Sequence, residues 1–375
     1  QKENIMKTVK IAYLGAGEIS DRFIIMSQKL KDVENIAIYS RHIENAKSKA
    51  EKYGIPSYFD DYEKMLKETS PDAVVITTPH SMHAQHAIHC MKAGAHVLVE
   101  KPAATNFNDA KKMYETAKKY KRIFNGLPFD HYPQFTAALK YVKEKYIGKI
   151  TSAHSELSFS GPPRLNWYYD KKTADGGAML DVGCYALSRL ISIMGPVKNV
   201  SAFSNTLIPK RLLPDGKKVK PTVDDNDVMI LTFEGGVFAT VKASWQHPFL
   251  ENRTIIYGRH GAIYINFDGF DEYPLIVHTK EKVLGKKIKW RNLQDCWAPD
   301  LPPFTPEDDI MGKFIYAIRN NKQPVYDAAQ SLHIVEVMHK AYLSAKTGRT
   351  QKITTPFRMW WDKEKDIQNF KNKYV

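Results

Sequence analysis

Two short stretches carry residue types that can move a proton. In "HVLVEKPAAT", residues 96–105, an apolar strand-like run ends in Glu100-Lys101-Pro102. Buried strands ordinarily finish in turn residues, so this lysine is either a solvated edge residue or a working group. In "GGAMLDVGCYALSRL", residues 176–190, Asp181 and Tyr185 stand four apart, which puts them on one face of a helix. Gly176, Gly177 and Gly183 permit close backbone approach. To act near neutrality a tyrosine must lose about 2–3 units of pKa, or about 3–4 kcal/mol. One ammonium at about 4 Å, in an effective dielectric of about 20, contributes roughly 4 kcal/mol. A lysine that comes that close therefore suffices to make the tyrosine an acid or base.

A third stretch points to a dinucleotide. "YLGAGEIS" places Gly15-Ala16-Gly17-Glu18-Ile19-Ser20 between a strand pattern and a helix pattern. A G-x-G-x-x-G/A turn lets backbone approach a pyrophosphate, which the helix N-terminus attracts. Ser20 replaces the third glycine and is small enough for close packing. At the end of the second strand, where an acid would hold the adenosine ribose of NAD, stand Ser40 and Arg41. A hydroxyl and a guanidinium suit a 2′-phosphate, so NADP is expected over NAD. A plain strand cap is the alternative role for Arg41.

These groups need elements to hold them. "VKIAYLGAG", "NIAIYSR", "AVVITTP" and "HVLVE" read as strands, separated by helical patterns at "SDRFIIMSQKLKD", "RHIENAKSKAEKYG" and "SMHAQHAIHCMKAG". "NFNDAKKMYETAKKYK" is a further helix, with Asn106 or Asn108 as its cap. Buried strands alternating with helices predict a doubly wound parallel sheet, α/β in class. After about residue 125, strand-like runs joined by Gly-containing turns predict a mostly antiparallel sheet in an α+β domain, with "GGAMLDVGCYALSRLISIMG" and "AAQSLHIVEVMHKAYLSAKTG" as its helices. The Pro- and Lys-rich segment 205–225 reads as an exposed loop.

With 43% hydrophobic and 11% aromatic residues the chain belongs to the globular class. Lys+Arg 55 against Asp+Glu 41 gives a formal charge of +14. The lysines are scattered among glutamates without an arginine-rich block, which favours a solvated basic surface over nucleic-acid binding. Cys90, Cys184 and Cys296 are odd in number and widely spaced, which suits a reducing cytoplasm. The polar start is not expected to be a signal peptide, and no apolar run is expected to reach the length of a membrane span. His80, His83, His86 and His89 recur every three residues, so they fan across half a helix circumference and no metal site is expected.

The order of these features resembles the glucose–fructose oxidoreductase / inositol dehydrogenase / rhizopine-catabolism (Gfo/Idh/MocA) family. The glycine turn is followed by "TTPHSMHAQHAIHCMKAGAHVLVEKP" and "DGGAMLDVGCYALSRL", and the likeness extends to about residue 350. It implies an N-terminal Rossmann domain over 1–125 and a substrate and oligomerisation domain over 126–350 with a large open sheet, followed by a tail over 351–375. It also implies hydride transfer between NAD(P) and a sugar, cyclitol or similar polyol, by homodimers or homotetramers paired through that sheet. A dihydrodiol or a nucleotide-linked sugar is the alternative substrate, and a cofactor-sensing regulator the alternative class. The family's Glu-Lys-Pro lysine sits beside the nicotinamide and the reacting hydroxyl. That assigns catalysis to Lys101 and cofactor contact to Glu100 and Lys101. Thr78, Pro79 and His83 match the segment lining the nicotinamide side, and the other three histidines then fall on the helix surface. Tyr185 stands where many members have histidine, as in a tyrosine-bearing subgroup, with Asp181 orienting the pair or the substrate. A packed helix aromatic is the alternative for Tyr185. Asp130 replaces a frequent arginine, which favours neutral hydroxyls, whereas the basic surface favours phosphorylated or nucleotide-linked sugars. Trp167 is either a stacking platform for a sugar face or a core aromatic.

Overall fold

Short strands make the first sheet, the central ones apolar and buried, and their carboxyl ends carry most of the residues singled out above. The protein is described by a computed structural model over residues 8–126, 132–163, 166–213, 215–269, 272–324 and 326–359. The chain divides into two units, Gln1–Pro128 with Thr305–Val335, and Phe129–Phe304 with Glu336–Val375.

In the first unit the order is β1 (Val9–Leu14), α1 (Glu18–Gln28), β2 (Val33–Tyr39), α2 (Ile43–Tyr53), β3 (Ser57–Phe59), α3 (Tyr62–Thr69) and β4 (Ala73–Ile76). There follow α4 (His83–Lys92), β5 (His96–Val99), α5 (Phe107–Tyr120) and β6 (Phe124–Gly126). All six strands are parallel, in the order β3-β2-β1-β4-β5-β6. That is the dinucleotide-binding arrangement, in which the strand order reverses between β1 and β4. Asn106 caps α5, its Oδ1 accepting from the Asp109 amide at 2.9 Å. Residues 305–335 return to this unit, where the helix Ile310–Arg319 packs on α1.

The second unit begins with α6 (Pro133–Lys143) and β7 (Ile150–Ser158). The short α7 (Lys171–Ala174) precedes a π-helical turn, Met179–Gly183, that runs into α8 (Cys184–Met194). The remaining strands are β8 (Asn199–Asn205), β9 (Arg211–Leu212), β10 (Lys218–Val219), β11 (Asn226–Thr232), β12 (Phe238–Ser244), β13 (Glu251–Gly258) and β14 (Gly261–Asn266). They are followed by β15 (Leu275–Thr279), β16 (Gly285–Trp290), β17 (Leu293–Pro299) and β18 (Gln351–Lys352). Ten of them form one sheet, β16-β17-β15-β14-β13-β7-β12-β11-β8-β18, antiparallel except between β7 and β12. Its inner face, with Ile256, Ile263, Ile265 and Val277, packs against Phe135, Ala138 and Leu139 of α6 and Ile193 of α8.

Two expectations need correction. Segment 205–225 is not an exposed loop, because β9 and β10 pair within it and Arg211, Leu213, Val223, Asp224 and Asp225 are buried. The helical stretch Lys171–Met194 does reach membrane-spanning length and hydropathy, but its apolar window is 89% buried inside the protein, as in a core helix.

Candidate active site

The glycine turn is held by the strand beside it. Gly15 has φ +111°, its amide donates to the Tyr39 carbonyl at 2.9 Å, and a Cβ there would lie 2.7 Å from Thr77 Oγ1. Only glycine fits. Gly17 is different: it takes an extended conformation as the N-cap of α1, and a Cβ on it would meet nothing within 4 Å. Its contribution is open backbone at a helix start, where Glu18 and Ile19 are also exposed. Ser20 is buried and donates to the Gly17 carbonyl at 2.7 Å. The N-cap Gly17 offers no side-chain cap, so the helix begins in open backbone, and its positive end attracts an anion. The arrangement fits a pyrophosphate.

Ser40 and Arg41 follow β2, with Ser40 tied by its amide to the Phe59 carbonyl at 3.1 Å and Arg41 exposed. His42, not Arg41, is the N-cap of α2. Thr78 and Pro79 follow β4, and Glu100 and Lys101 follow β5. The Glu100 amide donates to the Ile76 carbonyl at 2.9 Å, and its carboxylate accepts from the Lys101 amide at 2.8 Å. The cofactor candidates therefore form one row along the carboxyl ends of β2, β1, β4 and β5, where ligands bind on such sheets. A cavity of about 700 Å³ opens at the opposite end, beside Val9, Asp72 and His96. It touches none of these groups.

The histidines are not a surface row. His80, His83 and His86 are buried. His83 presents Nδ1 to the Pro102 carbonyl at 2.9 Å and Nε2 to the Thr78 carbonyl at 2.7 Å, so both ring nitrogens face backbone. His86 meets Thr78 Oγ1 at 3.0 Å and packs edge-on against Tyr62. Burial lowers the pKa of both, that of His86 to about 4. Among the described residues no group of three His, Cys, Asp or Glu stands where it could share a metal ion.

In the second unit Asp181 lies inside the π-helical turn and Tyr185 just beyond it. The segment is thus not the uninterrupted α-helix that a four-residue spacing suggests. Such turns are frequent at functional sites because they re-aim side chains within a helix. Asp181 is buried, whereas Tyr185 is half-buried against a cluster of Leu157, Tyr169, Ala178, Val182, Ala243 and Trp245. Trp167 is half-buried and stacks on Tyr168 at 4.0 Å, and Tyr168 packs on the same cluster as Tyr185. Asp130 lies outside the described residues.

One residue escapes the sequence reading. Asp224 accepts from the Gly177 amide at 2.8 Å, the Met179 amide at 3.0 Å and the Tyr342 hydroxyl at 2.7 Å. Gly176 and Gly177 hinted at a close approach. The approaching groups are Tyr342 and the Asp224 backbone.

Comparison with known proteins agrees with this geometry. Residues 9–126 match the model of the oxidoreductase family with an NAD-binding Rossmann fold, and residues 135–264 that of the GFO/IDH/MocA C-terminal domain. D-glucoside 3-dehydrogenase of Escherichia coli is 30% identical over 205 residues, 52% of this chain and 57% of that protein. The match thus spans little more than half of that relative. The NADP(+) scyllo-inositol 2-dehydrogenase of Bacillus subtilis is 26% identical over 327 residues, covering 84% and 89%. Levoglucosan dehydrogenase, solved with NADH and L-sorbose, superposes with a TM-score of 0.80 at 22% identity over 92% of this chain and 99% of its own. With both domain models matched and the Rossmann row in place, the chain belongs to the Gfo/Idh/MocA family of oxidoreductases.

Proposed function

We propose that the protein is an NADP(H)-dependent oxidoreductase that transfers hydride between nicotinamide and a carbinol or carbonyl carbon of a sugar or related polyol. The row of cofactor candidates along β2, β1, β4 and β5, closed by Lys101, carries this reading. The names of the relatives support the substrate class, because they act on a glucoside and an inositol. Ser40 and the exposed Arg41 support NADP, offering a hydroxyl and a guanidinium where an acid would select NAD. A bound nicotinamide would accept or supply the hydride. Tyr185 takes or returns the proton of the reacting hydroxyl, Lys101 polarises that oxygen, and Asp181 orients the substrate. Trp167 on Tyr168 offers an aromatic face to a sugar ring.

On this reading the protein works in the cytoplasm as a homodimer or homotetramer. The outer face of the ten-stranded sheet supports the assembly. Phe203, 74% exposed, Phe238, 54% exposed, and the exposed Ile230 and Tyr257 lie on it together.

The test is NADPH formation by the purified protein against aldoses, cyclitols, dihydrodiols and nucleotide sugars, with NAD and Tyr185→Phe in parallel. Activity on a sugar or cyclitol that needs Tyr185 and prefers NADP is expected. Cofactor binding with no turnover on any substrate would favour a regulator, and absence of cofactor binding would overturn the reading of the glycine turn.

A further inference from the structure

The π turn bearing Asp181 starts without a side-chain cap of its own, so its first amides need acceptors from elsewhere. One residue supplies three. Asp224, 47 positions along the chain from Gly177, takes the Gly177 amide on Oδ1 at 2.8 Å and the Met179 amide on Oδ2 at 3.0 Å. Its own carbonyl takes the intervening Ala178 amide at 3.2 Å. The carboxylate also lies at the positive end of the helix dipole. Tyr342, on the helix Ala328–Thr347, donates to the same Oδ1 at 2.7 Å and so locks the carboxylate in place. The glycines make this possible: a Cβ on Gly177 would overlap the Asp224 carbonyl oxygen, and one on Gly176 would lie 2.5 Å from the Tyr342 hydroxyl.

The Asp181 amide then donates to the Gly177 carbonyl at 2.9 Å, the first bond after this anchor. The orientation of the turn, and with it the direction of Asp181 and Tyr185, is therefore set where Asp224 grips the chain. We propose that Asp224, locked by Tyr342, is a positioning residue for Asp181 and Tyr185. The proposal rests on the catalytic reading of Tyr185 above, but its test can be read without a substrate.

The experiment uses full-length protein labelled with [ζ-13C]tyrosine, the Tyr185 resonance being assigned with Tyr185→Phe. Asp224→Asn keeps the shape but turns an NH₂ group toward an amide donor, leaving that amide unsatisfied. Tyr342→Phe removes only the lock and serves if Asp224→Asn does not fold. The expected result is a displaced Tyr185 resonance whose titration midpoint moves by roughly half a unit or more. On the substrate identified by the panel, kcat should fall about tenfold or more with little change in KM. A lower Tm with the Tyr185 resonance and titration unchanged in whichever variant folds would overturn the proposal and leave Asp224 a stability residue only. Tyr185→Phe with normal turnover would instead overturn the catalytic reading, and the Tyr185 resonance would still report on positioning.

Discussion

His83 Nδ1 lies 2.9 Å from the carbonyl oxygen of Pro102, so a buried imidazole on α4 braces the chain one residue beyond Lys101. Its Nε2 lies 2.7 Å from the Thr78 carbonyl oxygen, and the neutral ring donates its single N–H to one of these two carbonyls. Being 1% exposed, the ring supports the row of cofactor candidates from behind. Replacing His83 with alanine empties a buried site and removes both contacts. A loss of about 2–4 kcal/mol in urea unfolding is expected. Turnover should fall as well, because the Lys101 segment loses its brace. Unchanged stability would show that the bridge contributes nothing.

The depressed histidines make stability fall with acid. In the unfolded chain His83 and His86 titrate near 6.5, whereas burial lowers both in the folded protein, His86 to about 4. Below about pH 6.5 the unfolded state binds protons that the folded state excludes, so their contribution is complete above that pH and is lost as pH falls toward 4. Urea midpoints between pH 7.5 and 5 should decline in the parent and decline less in His86→Asn. Equal slopes would contradict the assignment.

Asp227 works in the other direction. It is buried on the inner face of β11, and burial, then the neighbouring Asp224 carboxylate, push its pKa well above the usual range. A raised carboxyl costs stability as pH rises from about 4 through its folded value. Asp227→Asn should therefore match the parent near pH 4 and become progressively more stable than the parent as pH rises to 8. A deficit that is the same at every pH would mean that the carboxyl group is needed for packing.

The residues along β2, β1, β4 and β5 were legible because each follows a strand-like run, and the end of a parallel strand is a fixed place. The three-residue strands β3 and β6 are too short to show a pattern. The contacts of His83 with the Pro102 and Thr78 carbonyls were not legible, because spacing does not reveal which carbonyls will face a ring. Asp224 was hidden in a Pro- and Lys-rich stretch that looked exposed, although Gly176 and Gly177 recorded the space it needed. The π turn was invisible because "GGAMLDVGCYALSRLISIMG" has the length and apolar content of an α-helix. The return of residues 305–335 to the first unit has no local signal, since an apolar helix face fits either sheet.

Arg41 decides the cofactor in this account. Loss of a charge-assisted contact to a 2′-phosphate is worth roughly 1.5–3 kcal/mol. Arg41→Ala should thus weaken NADP about ten- to a hundredfold and leave NAD nearly unchanged. Equal losses for the two cofactors would remove Arg41 from the site.

The most direct measurement is the pH dependence of kcat for the parent, Lys101→Met, Tyr185→Phe and the double variant on the substrate identified by the panel. The account predicts that each single variant loses about 10²–10⁴-fold and that the double variant loses little more, because the two groups act as one unit. Binding of NADP to all four proteins should be similar. Near-parental turnover in either single variant, or losses that simply multiply in the double, would contradict a shared role in handling the proton.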